Sequence, residues 1–285
     1  MGEGLNPANR NYMLPVHIEA LDINDAWFQC IVAAVEKGHE YLITRGSYAG
    51  QKRKELDFVT VNIKKPGSRP LNILVPEGSS LPPPNDMEYI DGYFARYLMS
   101  DAKEQYEDYT YGERLVNPKS LEGKLITEVR ELRKKLEGAK DNAEAQLMKE
   151  EIAKRHAASQ TIGVDQIKSV IEMYKTGGHG NNQATMEIGM PSDVLWGDPP
   201  CLRLIDTRVR YGKLHFFVYF RSWDLIGGFP SNLAGLQLLK EYMANEIGVE
   251  DGEMFAMSKG LHIYEQSWGY ANMRLGKKEQ SQNAG

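Results

Sequence analysis

Residues 201–234, CLRLIDTRVRYGKLHFFVYFRSWDLIGGFPSNLA, decide the fold. The runs on either side of Tyr211-Gly212-Lys213 predict a β-hairpin, and its second arm, KLHFFVYF, is apolar on both faces, as expected of a strand inside a sheet. Antiparallel pairing brings the ends of a hairpin together, so Cys201 at its start should meet Arg221 at its end. Pro199 and Pro200 fix the backbone ahead of the cysteine at an edge of the sheet. Only a thiolate is an effective nucleophile, and Arg221 is the candidate cation for favouring it. A lone cysteine before a strand is usually structural, so Cys201 by itself does not make an enzyme.

Downstream of the hairpin, SNLAGLQLLKEYMANEIG reads as a long amphipathic helix with Leu233, Leu236, Leu239 and Met243 inward, and GEMFAMSKGLHIYE as a strand pair. Upstream, DQIKSVIEMYKTGG is a helix closed by Gly177 and Gly178, and NQATMEIGMPS a strand. From Asp25 to Lys37 the spacing of Trp27, Phe28, Ile31, Val32 and Val35 predicts a helix. YLITRGSYAG and ELDFVTVNIKKP then give strand, loop and strand, with Arg45 on the loop. SSLPPPND excludes helix, and EYIDGYFARYLMSD has the period of a helix packed on one face.

The stretch from about Ser120 to Ala158 is charged and helix-favouring, with a narrow apolar stripe of Leu125, Val129, Leu132 and Leu136. It predicts a surface helical hairpin, more often an inert insertion than a partner-binding or dimer-bracing arm. The sum is α+β, a mixed β-sheet with helices packed on one face, organised as a single domain over 1–285 with a helical insertion at about 118–160.

Composition narrows the partners. A formal net charge of -5 makes nucleic acid a poor ligand, although clustered arginines could bind a small phosphate ester. Cys30, in the apolar run AWFQCIVAAVEKG, and Cys201, in DPPCLRLID, have unrelated contexts, which argues against a disulfide framework and for a reducing compartment. The N-terminal residues lack a signal-peptide layout and the apolar runs are too short to span a bilayer, so no membrane partner and a cytoplasmic location are expected.

Arg221-Ser222-Trp223-Asp224 followed by Gly228, Pro230 and Asn232-Leu233-Ala234 resembles the signature of thymidylate synthases. Tyr111-Gly112 with a basic residue soon after, Asp165-Gln166-Ile167 opening a helix, and Gly260-Leu261-His262-Ile263-Tyr264 occur in the family's order. The likeness is strong from Asp165 to Glu265, weaker from Asp25 to Gly112 and absent over the helical insertion. It points to the short, archaeal-type synthases, to which pyrimidine nucleotide hydroxymethylases are a related branch.

The resemblance implies that Cys201 adds to C6 of a pyrimidine nucleotide, so that C5 accepts a one-carbon unit from 5,10-methylenetetrahydrofolate, without a metal. Arg221, Ser222 and the loop residue Arg45 would bind the 5′-phosphate, Arg221 also keeping Cys201 ionised. Asn232 would read the base edge, where a carboxamide suits uracil and the cytosine-specific relatives carry an aspartate. His262 and Tyr264, on one face of a strand, would bind the sugar hydroxyl. Asp224 would hold the pterin as well as serve substrate and chemistry, Gly228 would leave room for the folate, and Tyr111 would join that cofactor site. The expected enzyme is a homodimeric dUMP methyltransferase; a dUMP, dCMP or CMP 5-hydroxymethylase and a catalytically silent nucleotide-binding relative are the alternatives.

Several family features are missing. Asn181-Asn182-Gln183 stand where the partner subunit normally supplies two arginines to the phosphate, so either Arg53 or another basic residue compensates or binding is looser. The proton-relaying glutamate has no clear counterpart in EYIDGYFARYLM, leaving Glu88 or Asp91 as substitutes. The tryptophans that shield the reactive methylene are absent from EQYEDYTYG, leaving Tyr106 and Tyr109, and water entry there would give a hydroxymethyl product. The polar tail KKEQSQNAG lacks the family's closing apolar segment, so the cofactor would be covered differently or the one-carbon chemistry would differ.

Overall fold

A computed structural model of the chain describes residues 11–45, 48–75 and 81–277. Its centre is the predicted hairpin: β8 (Leu202–Arg210) and β9 (Lys213–Phe220) pair antiparallel about a tight turn in which Tyr211 and Gly212 take φ of 55° and 73°. That double left-handed turn matches the right-handed twist of the flanking strands. In the six-stranded sheet β9 lies inside, between β8 and β11 (Glu250–Ser258), as its two apolar faces require. Beyond β11 come β4 (Phe58–Ile63) and β1 (Pro15–Ala20); β7 (Thr185–Glu187) edges the other side. The sheet is mixed: β1 runs parallel to β4 and β11 parallel to β9, while β4–β11, β8–β9 and β7–β8 are antiparallel.

The helices cover one face. α1 (Ile23–Lys37) starts where the Asp22 side chain caps the Asp25 N–H, and buries Trp27, Cys30 and Ile31 against the sheet. α7 (Phe229–Ile247) lies beside it with Leu233, Leu236, Leu239 and Met243 inward, stopping at Gly248 in the left-handed conformation. α6 (Gln166–Gly177) opens with the Asp165 carboxylate capping the Lys168 N–H. On the other face no helix among the described residues supplies a lid, and the rows Asn62, Phe255, Phe217 and Thr60, Met257, Tyr219 stay half-buried.

The strand pair expected at the end divides between two sheets. β11 joins the large sheet, whereas β12 (Leu261–Tyr264) joins a four-stranded sheet with β10 (Trp223–Asp224), β3 (Lys52–Glu55) and β2 (His39–Leu42). β3 is a strand the sequence pattern did not predict, because KRKE carries no apolar alternation. The predicted helix of EYIDGYFARYLMSD is regular only over α2 (Met87–Gly92). From Tyr93 to Leu98 it widens into a π-helical turn, with the Met99 N–H bonded to the Phe94 carbonyl. α3 (Tyr111–Val116) follows.

The charged stretch forms an antiparallel pair, α4 (Gly123–Glu137) and α5 (Asn142–His156), whose bases carry the short paired strands β5 (Lys119–Ser120) and β6 (Gln160–Thr161). Its apolar stripe closes over a small second core of Leu121, Ile126, Val129, Ile152 and Trp196. After Tyr264 the chain continues into α8 (Trp268–Arg274), which packs on α1 and β12; of the polar tail, residues 278–285 lie outside the described part.

Candidate active site

The joined ends of β8 and β9 open into a cleft of about 460 Å3. Cys201 precedes β8 and Arg221 follows β9, and the Arg221 N–H donates to the Cys201 carbonyl at 2.8 Å. Cys201 is a free, half-buried thiol, whereas Cys30 is free and wholly enclosed in α1. The Arg221 guanidinium turns to the loop ahead of the cysteine: Nε donates to the Pro200 carbonyl at 3.1 Å, and Nη2 to Asp198 at 3.0 Å and to the Pro199 carbonyl. Burial pushes the Cys201 thiol above its ordinary value. Arg221 and Arg203 pull it down, as expected of cations, but Asp198 and Asp224 push the other way, and the balance lies with the thiol. Burial and the two carboxylates thus work against the ionisation that Arg221 favours.

The loop owes its position to a buried clamp. Asp193, 2% exposed, accepts from Arg114 at 2.9 Å and from Arg203 at 2.7 Å. These charges keep the turn Pro191–Leu195 against β8, while Trp196 is gripped from the far side by the α4–α5 core and stacks on His156 at 5.9 Å. Asp193, Asp198 and Arg203 escaped the sequence reading because a solitary charge in a loop or strand has no pattern; only Arg114 was signalled, as the basic residue after Tyr111-Gly112.

Arg45, Arg53 and Arg221 all line the cleft. Arg45 is exposed, whereas Arg53 on β3 is partly buried, ion-paired to Glu55 at 2.7 Å and bonded to the Tyr41 hydroxyl at 2.5 Å. Ser222 and Asp224 also border the cleft. Asp224 accepts from the Ile226 N–H at 3.0 Å; burial raises its carboxyl, with the Ile226 and Gly227 amides opposing.

His262 and Tyr264 stand side by side on β12, ring centroids 4.6 Å apart, and both face the cleft. His262 is 1% exposed, and burial lowers its pKa to about 4, so the ring is neutral near pH 7. Its Nδ1 lies 2.8 Å from the Gly260 carbonyl, which can only accept, so Nδ1 carries the proton and Nε2 offers a lone pair. Nε2 has no partner among the described residues. A neutral acceptor at the wall of a cleft suits a hydroxyl donor.

Asn232 and Tyr111 are placed differently from the rest. Both line a neighbouring recess, about 710 Å3, with Tyr93 and Tyr97. Tyr111 is 6% exposed and its hydroxyl accepts from the Leu202 N–H at 3.2 Å, next to Cys201, so it supports the first residue of β8. Gly228 lies under this junction: a Cβ there would stand 3.2 Å from the Asp224 carbonyl and 3.3 Å from Asn232 Oδ1, so the space it preserves is filled by the chain's own groups.

The substitutes weighed for the missing family groups fare unevenly. Glu88 borders the recess and is exposed, as is Asp91; neither reaches the Cys201 cleft. Tyr106 turns outward, 40% exposed, and the wall near the thiol is formed instead by Tyr97, Tyr109 and Tyr111, all three within electrostatic range of Cys201. Asn182 accepts from Arg208 at 2.7 Å, several residues along β8 from Cys201, and does not approach the cleft of its own chain.

Residues 124–284 match the family model for thymidylate synthase. The chain is 28% identical over 251 residues to a Methanosarcina acetivorans protein named "Putative thymidylate synthase", covering 88% of this chain and 90% of the relative. A protein of the same name from Methanothermobacter thermautotrophicus is 27% identical over 259 residues, 87% of this chain and 93% of the relative. A Listeria monocytogenes thymidylate synthase is 35% identical over 107 residues, 37% of this chain and 34% of the relative.

Proposed function

Because the chain belongs to the thymidylate synthase family, we propose that it methylates dUMP at C5, with Cys201 as the nucleophile that attacks C6. The placement of Cys201, the arginines 45, 53 and 221, and the unpartnered Nε2 of His262 around one cleft carries this reading. Three guanidinium groups suit a phosphate dianion, and Arg53 stands where an extra cation is needed if no partner arginines arrive. The lone pair of His262 Nε2 would accept from the sugar 3′-hydroxyl, with Tyr264 beside it. Addition of the Cys201 thiolate to C6 makes a carbon–sulfur bond and moves the electron pair of the C5=C6 bond onto C5 and the O4 enolate. Once C5 carries the one-carbon unit, loss of the C5 proton with release of the folate nitrogen leaves an exocyclic methylene, and hydride addition to that methylene with expulsion of the Cys201 thiolate restores the C5=C6 bond and frees the enzyme.

Methylenetetrahydrofolate supplies the one-carbon unit and the hydride. Asp224, half-buried and beside Gly228, is the group we assign to its pterin N–H donors. The hydroxyl-bearing wall of Tyr97, Tyr109 and Tyr111 favours a second reading, because polar walls retain water that can capture the one-carbon unit before hydride does, giving a 5-hydroxymethyl nucleotide.

We also propose a homodimer built on the sheet face that carries no helices among the described residues, where Phe217 and Phe255 stack with centroids 4.7 Å apart. A cytoplasmic location fits the two free thiols; no helix among the described residues is long and apolar enough to cross a membrane.

Mass spectrometry of the products from methylenetetrahydrofolate and, separately, dUMP, dCMP, UMP and CMP tests the reading. Gain of CH2 on dUMP with dihydrofolate formed is the expected result. Gain of CH2O on any nucleotide makes the protein a hydroxymethylase, and no product with any of them overturns the catalytic reading.

A further inference from the structure

Asn232 is held from both sides. Its Oδ1 accepts from Trp223 Nε1 at 3.0 Å and its Nδ2 donates to the Tyr93 hydroxyl at 2.9 Å. The two contacts differ in what they permit. An indole N–H is a donor only, so whichever amide atom faces it must be the oxygen, whereas a phenol hydroxyl can give or take a hydrogen bond and accepts either orientation. Trp223 cannot swing away: it is 1% exposed and stacked between Phe220, at 4.1 Å and 3°, and Phe229, at 4.4 Å and 26°. The orientation of the Asn232 carboxamide is thus dictated by one immobile donor.

We infer that Trp223 is a specificity-determining residue, its indole N–H locking the Asn232 amide in the orientation that accepts uracil and refuses cytosine. This rests on the reading of Asn232 as the group that meets the base. With one bond already made at each end, the amide keeps one lone pair on Oδ1 and one N–H on Nδ2. Those complement the N3–H donor and O4 acceptor of uracil. Cytosine offers the opposite pattern, an acceptor at N3 and a donor at N4, and pairing with it needs the amide turned over. Turning it over sets the Asn232 N–H against the Trp223 N–H in a buried site, two donors with no acceptor between them. The charge-free Asn232 could serve either base; the discrimination comes from its neighbour.

The test is the ratio of dissociation constants for dCMP and dUMP, measured by calorimetry on the full chain. Trp223→Phe keeps an aromatic ring in the stack and removes the donor. The ratio should fall by about ten- to a hundredfold, through tighter dCMP binding or weaker dUMP binding, the size of effect expected when an opposed buried donor is relieved. Tyr93→Phe should change it no more than about threefold, since a hydroxyl of either polarity is not a lock. Should Trp223→Phe fail to fold, benzothienylalanine at position 223 replaces the N–H with sulfur at nearly constant shape and must give the same fall. A wild-type preference for dUMP that survives the loss of the indole N–H overturns the inference alone. Wild-type protein that binds no pyrimidine nucleotide, or prefers dCMP, overturns the uracil reading on which it rests.

Discussion

The sheet end that carries Cys201 and the tyrosine wall opposite it, residues 86–116, are built on different terms. On the sheet side the backbone does the positioning: the Cys201 carbonyl holds the Arg221 N–H, Leu225 N–H bonds the His262 carbonyl, and β10 runs parallel to β12 with Asp224 opposite His262. On the wall side, side chains do it: Tyr93 meets Asn232, Tyr97 lies 5.1 Å from both Tyr93 and Tyr111, and Tyr111 reaches across to Leu202. A backbone ladder tolerates exchange of the side chains that decorate it, whereas a wall of hydroxyls depends on each residue. On the proposed chemistry the sheet side would therefore define which bond can form and, through Trp223, which base enters, while the wall would tune whether water does.

The largest effect separates the two. Cys201→Ser should lower release of tritium from C5-labelled dUMP by several orders of magnitude, because a serine hydroxyl is far less acidic than a thiol and so far less able to act as the anionic nucleophile, while dUMP binding changes little. Tyr97→Phe should leave tritium release within about tenfold and act on the ratio of methyl to hydroxymethyl product. Equal loss in both variants would erase the distinction between a reacting side and a tuning side.

Trp196 ties the loop ahead of Cys201 to the helical pair, and Trp196→Ala should destabilise the chain by about 3 to 5 kcal/mol in urea unfolding, the usual cost of emptying a buried tryptophan site. Loss of less than about 1 kcal/mol would mean that the α4–α5 core does not brace the loop and that the pair is the inert decoration its charged sequence suggested. A smaller effect should come from Tyr111→Phe. It leaves the Leu202 N–H buried without an acceptor and should cost about 1 to 3 kcal/mol, read by the same unfolding curves. An unchanged midpoint would show that the wall merely rests against β8.

This contrast also explains what could be read in the sequence. The hairpin, the place of its turn around Tyr211-Gly212-Lys213, the inner position of β9 and the meeting of Cys201 with Arg221 follow from alternation and turn chemistry, which are local. The division of β11 and β12 between two sheets is not, because pairing partners lie far along the chain and KRKE shows no strand pattern. On the wall, the apolar period of EYIDGYFARYLM spoke for an ordinary helix; the π-helical turn that re-aims Tyr93 and Tyr97 is a tertiary compromise no periodicity encodes. Among the site residues, those in short ordered motifs were legible: Arg221, Ser222, Asp224, His262 and Tyr264 do converge on the cleft of Cys201. The opposing charges were not, since neither Asp198 nor the Arg114–Asp193–Arg203 clamp has a spacing that announces it.

Asp198 gives the finest test of how the sheet side is tuned. Its carboxylate takes a donor of Arg221 at 3.0 Å and helps to raise the Cys201 thiol, so it opposes ionisation twice, by occupying the cation and by repelling the thiolate. Asp198→Asn keeps an acceptor for Arg221 and removes the charge. The thiolate is the reactive form, so a thiol raised above its usual value reacts late on a pH ramp, and relief of one raising influence must move its limb to lower pH. Iodoacetamide labelling of the variant should accordingly run a few-fold faster than wild type below the limb, and equally fast well above it. Cys30, wholly enclosed and raised further by burial, stays silent in this assay. Because Asp198 is 60% exposed, salt should shrink the difference, and a shift that ignores ionic strength would assign it to loop rearrangement instead of charge. Inorganic phosphate should compete with Asp198 for Arg221 and bind the variant more tightly; unchanged affinity would place the phosphate on Arg45 and Arg53 alone.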